Sequence, residues 1–129
     1  MSFTEGRQRI AIQGLEIQAA IGLLDWEKQE KQRLRIDVAV YRDNFGREVA
    51  LEDCYDYSAL QAFLAGFADR EQIELLETIL AEILDYCFKD QTIAAAEVWL
   101  TKPDVFQGAG APVVSAALTQ AQWAAKKYS

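Results

Sequence analysis

Residues 33–41 read Arg-Leu-Arg-Ile-Asp-Val-Ala-Val-Tyr, and this stretch decides the fold. Every second side chain in it is aliphatic: Leu34, Ile36, Val38 and Val40. Most side chains between them are charged or carry a hydroxyl group: Arg33, Arg35, Asp37 and Tyr41. A period of two is typical of a β-strand with one buried face, so we predict such a strand here.

The preceding segment, Arg9 to Ile21, shows the same spacing in two halves. Its apolar positions are Ile10 and Ile12 before Gly14, and Ile17, Ala19 and Ile21 after it. A glycine between two alternating halves predicts a strand with a bend or bulge at that point. The connector to the next strand, residues 22–27, reads Gly-Leu-Leu-Asp-Trp-Glu and is unusually apolar for a simple hairpin turn.

Two helical patterns follow a polar, loop-like segment at residues 44–56. The first covers Tyr57 to Ala68, with Asp56 as its N-cap, and the second covers Ile73 to Phe88. Two further strands are predicted after the helices. One runs from Ile93 to Lys102 and is ended by a proline, and the other runs from Val113 to Ala121 after a glycine-containing loop at 104–111.

The order strand, strand, helix, helix, strand, strand predicts an α+β fold (ββααββ). We expect one four-stranded antiparallel sheet with two helices on one face. The chain length predicts a single domain over residues 1–129, with a core at 9–121 and a tail at 122–129 that is frayed from Ala124 onward. Such a sheet has two open edges and an uncovered face, so self-association is expected.

Composition excludes several classes of function. The 129 residues carry a formal charge of −7, which disfavours nucleic acids and anionic membranes as partners. No apolar run approaches the roughly 18 residues of a membrane span, and residues 1–9 do not resemble a signal peptide. Cys54 and Cys87 are interpreted as reduced thiols, which favours a cytoplasmic protein.

The chain contains no histidine. This excludes histidine-dependent nucleophile arrangements and nearly all zinc sites, so no metal is expected. Acid–base chemistry must then come from Glu, Asp, Lys, Tyr or Cys.

Glu77 and Lys102 have unusual positions for charged residues. On a helical projection that starts at Ile73, Glu77 is the one charge within the apolar face. It is either an edge glutamate whose head reaches water or a carboxylate that binds a buried ligand. Strand alternation turns Lys102 toward the apolar side, which suits proton transfer, although a lysine at a strand end is usually a surface group. Glu27 and Tyr57 give weaker signals, since a turn glutamate is usually solvated and a tyrosine usually packs.

Together these residues resemble the dihydroneopterin aldolase family. The matching segments, in the family's order and spacing, are 21–27 (Ile-Gly-Leu-Leu-Asp-Trp-Glu), 56–57 (Asp-Tyr), 75–77 (Leu-Leu-Glu) and 100–103 (Leu-Thr-Lys-Pro). The similarity extends from about Ile10 to Leu118. It implies the tunnelling fold, in which the sheets of four subunits close into a barrel, often as two stacked rings, with the pterin sites between subunits.

The resemblance also implies a reaction. Dihydroneopterin would undergo retro-aldol cleavage to 6-hydroxymethyl-dihydropterin and glycolaldehyde, without a cofactor, metal or Schiff base, because the substrate's own C6=N5 imine serves as the electron sink. Lys102 would be the acid/base, and Glu27 would hold that lysine or the substrate hydroxyls. Glu77 and the backbone around Leu76 would bind the pterin, and Tyr57 from a neighbouring subunit would cover the ring and assist protonation.

Other functions remain open at the level of sequence. The nearest is a 2′-epimerase of the same fold that acts on dihydroneopterin or its triphosphate. A different class is a pterin- or purine-binding module without catalysis, or a purely structural ring, and a thiol role for Cys54 is a further alternative. The loop at 104–112 departs from the family pattern, so the lip of the site is not predicted.

Overall fold

A computed structural model describes residues 5–44 and 50–127. Four antiparallel strands form one sheet in chain order: β1 (Gln8–Ala19), β2 (Gln32–Arg42), β3 (Ala95–Thr101) and β4 (Val113–Thr119). The helices are α1 (Asp25–Gln29), α2 (Tyr57–Ala65), α3 (Leu76–Phe88) and α4 (Gln120–Lys127). Short 3₁₀ turns occupy Leu51–Asp53 and Gly66–Asp69. The predicted α+β class and ββααββ order are confirmed, with α1 and α4 as additions.

The alternating apolar residues of β2 form the centre of the core. Leu34, Ile36 and Val40 are fully buried and Val38 is 1% exposed. Full burial of such a side chain contributes roughly 1.5–3 kcal/mol relative to its exposure to water. The helix face of the sheet is therefore held mainly by β2 and by the matching residues of β3.

The predicted irregularity at Gly14 is a β-bulge. The pairing of β1 with β2 shifts register between Ile12 and Leu15, and Gly14 has a φ of 71°. Its N–H donates to Asp37 Oδ1 at 2.7 Å. A positive φ costs glycine little, so the bulge forms where the chain has a glycine and a facing carboxylate.

Both covering helices differ from their predicted bounds. Asp56 caps α2 as predicted, accepting from the N–H of Ala59 at 3.0 Å. The last predicted turn of this helix, after Ala65, is 3₁₀. The prediction that α3 begins at Ile73 was wrong. The N–H of Ile73 donates to Ala20 and its carbonyl accepts from Gly22, both at 2.9 Å, so its backbone extends the sheet region instead.

The predicted frayed tail was wrong over residues 124–127. The strand β4 ends at Thr119, whose backbone N–H and hydroxyl exchange hydrogen bonds with Gln122 and so cap α4. Trp123 stacks on Phe88 with ring centroids 5.6 Å apart, and its Nε1 donates to Asp85 at 2.6 Å. Residues 128 and 129, like residues 45–49 of the predicted loop, lie outside the described part of the chain.

Both cysteines are free thiols. Cys54 is exposed, whereas burial raises the pKa of the Cys87 thiol to about 12 and makes it unreactive at neutral pH. Within residues 5–44 and 50–127, no helix is long and apolar enough to cross a membrane.

Candidate active site

The candidate site lies at the end of the sheet where β1 and β3 end and β2 and β4 begin. Antiparallel pairing brings these four strand ends together. The segment before α3 joins them, because Ile73 pairs with Ile21 and the side chain of Gln72 donates to the carbonyl of Gly22 at 3.0 Å. The helix α3 therefore begins at this same end.

Two predicted site residues meet here. Lys102 Nζ donates to Glu27 Oε2 at 2.7 Å, and the two side chains are 13% and 6% exposed. Lys102 follows β3 in phase with buried Val98 and Leu100, so its predicted inward direction is confirmed. The sequence separation of 75 residues means that the pair exists only in the folded sheet.

The carboxylate of Glu27 is held by further donors. Gln32 Nε2 donates to Oε2 at 2.9 Å, and the N–H of Leu24 donates to Oε1 at 3.2 Å. Burial acts to raise the pKa of Glu27, but the hydrogen bonds from Lys102, Gln32 and Leu24 outweigh it and leave that pKa below the ordinary value. Glu27 is therefore an ionised acceptor at neutral pH.

Gly22 completes the packing around this carboxylate. A Cβ atom at Gly22 would overlap the carboxyl group of Glu27, and the φ of 128° at Gly22 lies in the region that favours glycine. The glycine therefore allows the backbone to approach the carboxyl group closely. Gln32 and Gly22 are functional candidates that the sequence analysis missed.

The short helix α1 turns Glu27 inward and places apolar side chains outward. Its third residue, Glu27, accepts from the backbone N–H of the N-cap Leu24, which fixes the helix start. Leu24 and Trp26 stay 58% and 47% exposed, and Leu75 and Phe106, which flank the same end of the sheet, are 45% and 55% exposed. These four exposed side chains, here called the apolar rim, lie at the same end of the sheet as the buried ion pair.

Glu77 lies in the first turn of α3 at this end, but it is exposed. Glu77 lies on the same side of α3 as Leu84 and Phe88, but these two buried residues lie about two and three turns further along the helix. In the first turn, by contrast, the described part of the chain leaves the Glu77 side chain exposed. Its neighbour Leu76 is buried, and the binding role of both residues stays a prediction.

Tyr57 lies at the opposite end of the sheet. It opens α2, is 62% exposed, and borders a cavity of about 190 Å³ with Gln8 and Arg42, where β1 begins and β2 ends. The structure therefore brings Glu27 and Lys102 together, puts Glu77 at their end of the sheet, and separates Tyr57 from all three.

A larger cavity of about 550 Å³, bordered by Cys54 and Tyr86, also lies at the Tyr57 end.

The loop after Lys102 is fixed at both of its ends. The N–H of Lys102 donates to the carbonyl of Pro112 at 3.2 Å, and Arg33 contacts Asp104 at 2.8 Å. β4 begins at Val113, as predicted. Within the described ranges, no group of three or more His, Cys, Asp or Glu side chains is placed to hold a metal ion.

The fold and the site define a small α+β protein with a buried carboxylate–ammonium pair, an arrangement suited to proton transfer. The dihydroneopterin aldolase family model matches residues 10–118. Since this is most of the chain, the protein belongs to the dihydroneopterin aldolase family.

Individual relatives agree with this assignment. The dihydroneopterin aldolase of Haemophilus influenzae is 26% identical over 99 residues, which cover 74% of this chain and 82% of the relative. The E. coli dihydroneopterin aldolase, solved in complex with neopterin, superposes with a TM-score of 0.75 at 20% identity, over 86% of this chain and 98% of that one. The dihydroneopterin aldolase of Burkholderia thailendensis, solved bound to guanine, superposes with a TM-score of 0.73 at 22% identity. The superposition covers 88% of this chain and 92% of that one. The superpositions establish a shared fold.

Proposed function

We propose that this protein cleaves 7,8-dihydroneopterin by a retro-aldol reaction to 6-hydroxymethyl-7,8-dihydropterin and glycolaldehyde. The observation that carries the proposal is the buried pair of Glu27 and Lys102, 2.7 Å apart, at an open end of the sheet. Family membership supplies the reaction, and the pair supplies the proton-transfer groups that it needs.

Lys102 is proposed as the principal acid/base, acting on a side-chain hydroxyl of the substrate directly or through water. Its Nζ is held by Glu27, and the Lys102 side chain as a whole keeps 13% of its surface exposed at this end of the sheet, which supports access by a substrate. The pairing of this amine with a carboxylate favours proton exchange with the substrate hydroxyl over attack on carbon, which argues against a Schiff base. The protonated C6=N5 imine of the substrate takes up the electrons released by C–C cleavage, so the protein needs no metal.

Glu77 is proposed to bind the pterin, helped by the backbone around Leu76. A carboxylate accepts two parallel N–H donors well, and a pterin presents its 2-amino group next to a ring N–H. The ligands of the two solved relatives, neopterin and guanine, share that edge. The exposure of Glu77 at the end of the sheet leaves its carboxylate available to such a ligand.

We propose that the site is completed by self-association into a tetrameric ring, or an octamer of two rings, with Tyr57 supplied by the neighbouring subunit. The open edges at β1 and β4 support strand pairing between copies. Tyr57 is separated from Lys102 within one chain, and the apolar rim lies at the ion-pair end of the sheet. Both observations support a contact between opposite ends of two copies. The two free cysteines support the cytoplasm as the compartment.

The proposal is tested by incubating the protein with dihydroneopterin and separating the pterin products. We expect glycolaldehyde and hydroxymethyl-dihydropterin in equal amounts, and a loss of at least about 100-fold in kcat for Lys102→Ala. Lys89→Ala, at the exposed C-terminal end of α3, is the matched control and should keep wild-type activity. Formation of the 2′-epimer alone, or the absence of turnover by the wild type, would overturn the proposal.

A further inference from the structure

The side chain of Gln32 joins the sheet to the carboxylate of Glu27. Its Nε2 donates to Glu27 Oε2 at 2.9 Å and to the carbonyl of Ile21 at 2.8 Å. One amide group therefore uses both of its N–H bonds, one toward the backbone and one toward the site. Glu27 and Gln32 are the buried polar residues of the described chain, at 4% and 8% exposure.

The backbone end of this bridge is rigid. Ile21 is fully buried and pairs with Ile73, and Gln32 opens β2 opposite Ala19. In contrast, Glu27 lies on α1, a five-residue helix whose N-cap is an apolar leucine. Such a short helix is marginal by itself and needs outside contacts to hold one orientation.

Gln32 and Lys102 donate to the same oxygen. Glu27 Oε2 accepts from both, whereas Oε1 accepts from the Leu24 N–H. The carboxylate is thereby fixed with one defined oxygen toward the lysine. Without Gln32 the Glu27 carboxylate would be free to rotate about its Cγ–Cδ bond. It would then present either oxygen to Lys102, at a longer distance.

We propose that Gln32 is a positioning residue, which orients the Glu27 carboxylate so that Lys102 is held at the distance and angle needed for proton transfer. This inference rests on the proposed function, which makes Lys102 the acid/base. Gln32 is not proposed to contact the reacting atoms, because both of its N–H bonds are donated to acceptors within the chain. Positioning errors of about 1 Å can reduce a rate by roughly 100-fold.

The kinetic test compares Gln32→Met, which keeps the length and removes the donor, with Gln29→Met on the exposed end of α1. We expect Gln32→Met to lower kcat roughly 10- to 100-fold with a change in KM below about threefold. Gln29→Met should match the wild type. An unchanged kcat for Gln32→Met would overturn the inference.

The pH profile separates positioning from a general loss of structure. Loss of one hydrogen bond to the ionised form raises the pKa of Glu27, so the acid limb of kcat/KM should move to higher pH in Gln32→Met. Within the described chain, Lys102 is the one titratable group that contributes to the lowered pKa of Glu27. The wild type and Gln32→Met both retain Lys102, so it does not account for a difference between them. Gln32→Glu places a second carboxylate there and should move the limb further in the same direction. A limb that stays in place in both variants would contradict the inference.

A measurement without substrate makes the two proposals separable. The carboxyl carbon of Glu27 is followed by NMR through a pH titration in the wild type and in both variants, with unfolding curves recorded on the same samples. A higher titration midpoint in folded Gln32→Met supports the hydrogen-bond role, and an equal midpoint overturns it. If the midpoint moves but the wild type does not cleave dihydroneopterin, the proposed function fails together with the catalytic consequence, and the hydrogen-bond role of Gln32 stands.

Discussion

Glu27 is a buried carboxylate whose charge is compensated within the chain. Desolvation of such a group costs several kcal/mol, and Lys102, Gln32 and the Leu24 N–H offset that cost. The balance leaves the pKa of Glu27 below its ordinary value. Since the ionised form is the stabilised one, the folded protein should lose this contribution in acid.

The variant Glu27→Gln tests this linkage. A lowered pKa in the folded state means that the unfolded chain binds more protons at pH values between the folded pKa and the ordinary value of 4.5. The contribution of Glu27 is thus fully present above pH 4.5 and is lost as the pH falls through the lower, folded value. Urea unfolding from about pH 6 to 3 should show a steeper loss of stability for the wild type than for Glu27→Gln.

The matched control for this experiment is Glu30→Gln, which removes an exposed glutamate just after α1. Its free energy of unfolding should follow the wild-type curve over the same range. Parallel curves for the wild type and Glu27→Gln would contradict the ionised, hydrogen-bonded carboxylate.

Gly22→Ala should displace the Glu27 carboxylate from its position beside the backbone. The added Cβ would overlap the Glu27 carboxyl group, and alanine disfavours a φ of 128°. We expect a loss of roughly 1–3 kcal/mol in the free energy of unfolding. Gly66→Ala is the control, because Gly66 has a helical φ of −63° and open space at its Cβ, so it should stabilise by roughly 0.4–1 kcal/mol. Equal effects of the two substitutions on chemical unfolding would refute this account.

The sequence predicted part of the site directly. Strand alternation gave the inward direction of Lys102, and the family resemblance singled out Glu27 although turn glutamates are usually solvated. Gln32 was missed, yet a signal for it exists, because it is in phase with Leu34 and Ile36 on the buried face of β2. A polar residue that alternates in phase with buried apolar residues needs a hydrogen-bond partner. Only the folded chain shows that this partner is Glu27.

At the scale of elements, the sequence predicted the four strands of the described chain and both covering helices, with errors at their ends, but it did not predict α1 or α4. The start of α3 moved from Ile73 to Leu76 because hydrogen bonds to Ala20 and Gly22 compete with the helix. Such tertiary contacts are absent from a local pattern. The helix α4 did carry a local signal, a threonine followed three residues later by a glutamine. A helix this short is expected to need tertiary packing as well, and Trp123 supplies it by stacking on Phe88.

Trp123 should therefore decide whether α4 stays folded. Trp123→Ala removes the stack on Phe88 and the hydrogen bond to Asp85, and we expect a loss of roughly 2–3 kcal/mol in the free energy of unfolding. Trp123→Phe keeps an aromatic ring on Phe88 but loses the donor and some ring area, so it should cost less, roughly 1 kcal/mol. Hydrogen exchange of residues 120–127 reports on the helix itself. Wild-type protection of these amides in Trp123→Ala would show that the helix does not need the stack.

At the scale of the whole molecule, the candidate residues divide between two ends of the sheet. Glu27 and Lys102 belong to one end of a chain, and Tyr57 belongs to the other. If a site combines opposite ends of two copies, then subunits with different defects should complement each other. Subunits with defects at the same end should not.

Mixed oligomers test this arrangement. Lys102→Met and Tyr57→Ala subunits, each of which we expect to be nearly inactive alone, are unfolded together and refolded as a mixture. Random assortment should restore about a quarter of the sites, because one site in four combines an intact end from each subunit. The control mixture, Lys102→Met with Glu27→Gln, should recover no activity, since no chain in it has the intact pair. Equal recovery in both mixtures, or none in the first, would contradict a site built by two subunits.

The ion pair also has a consequence for how the sheet assembles. Side chains of a strand alternate between faces, so a slip of β3 by one residue against β2 would carry the amine of Lys102 to the opposite face. Glu27 would then be enclosed without a counter-ion, a state that costs roughly 3–5 kcal/mol. The ion pair that is proposed to hold the acid/base thus also penalises misaligned pairing of the central strands, because both charges are neutralised only in the correctly registered sheet.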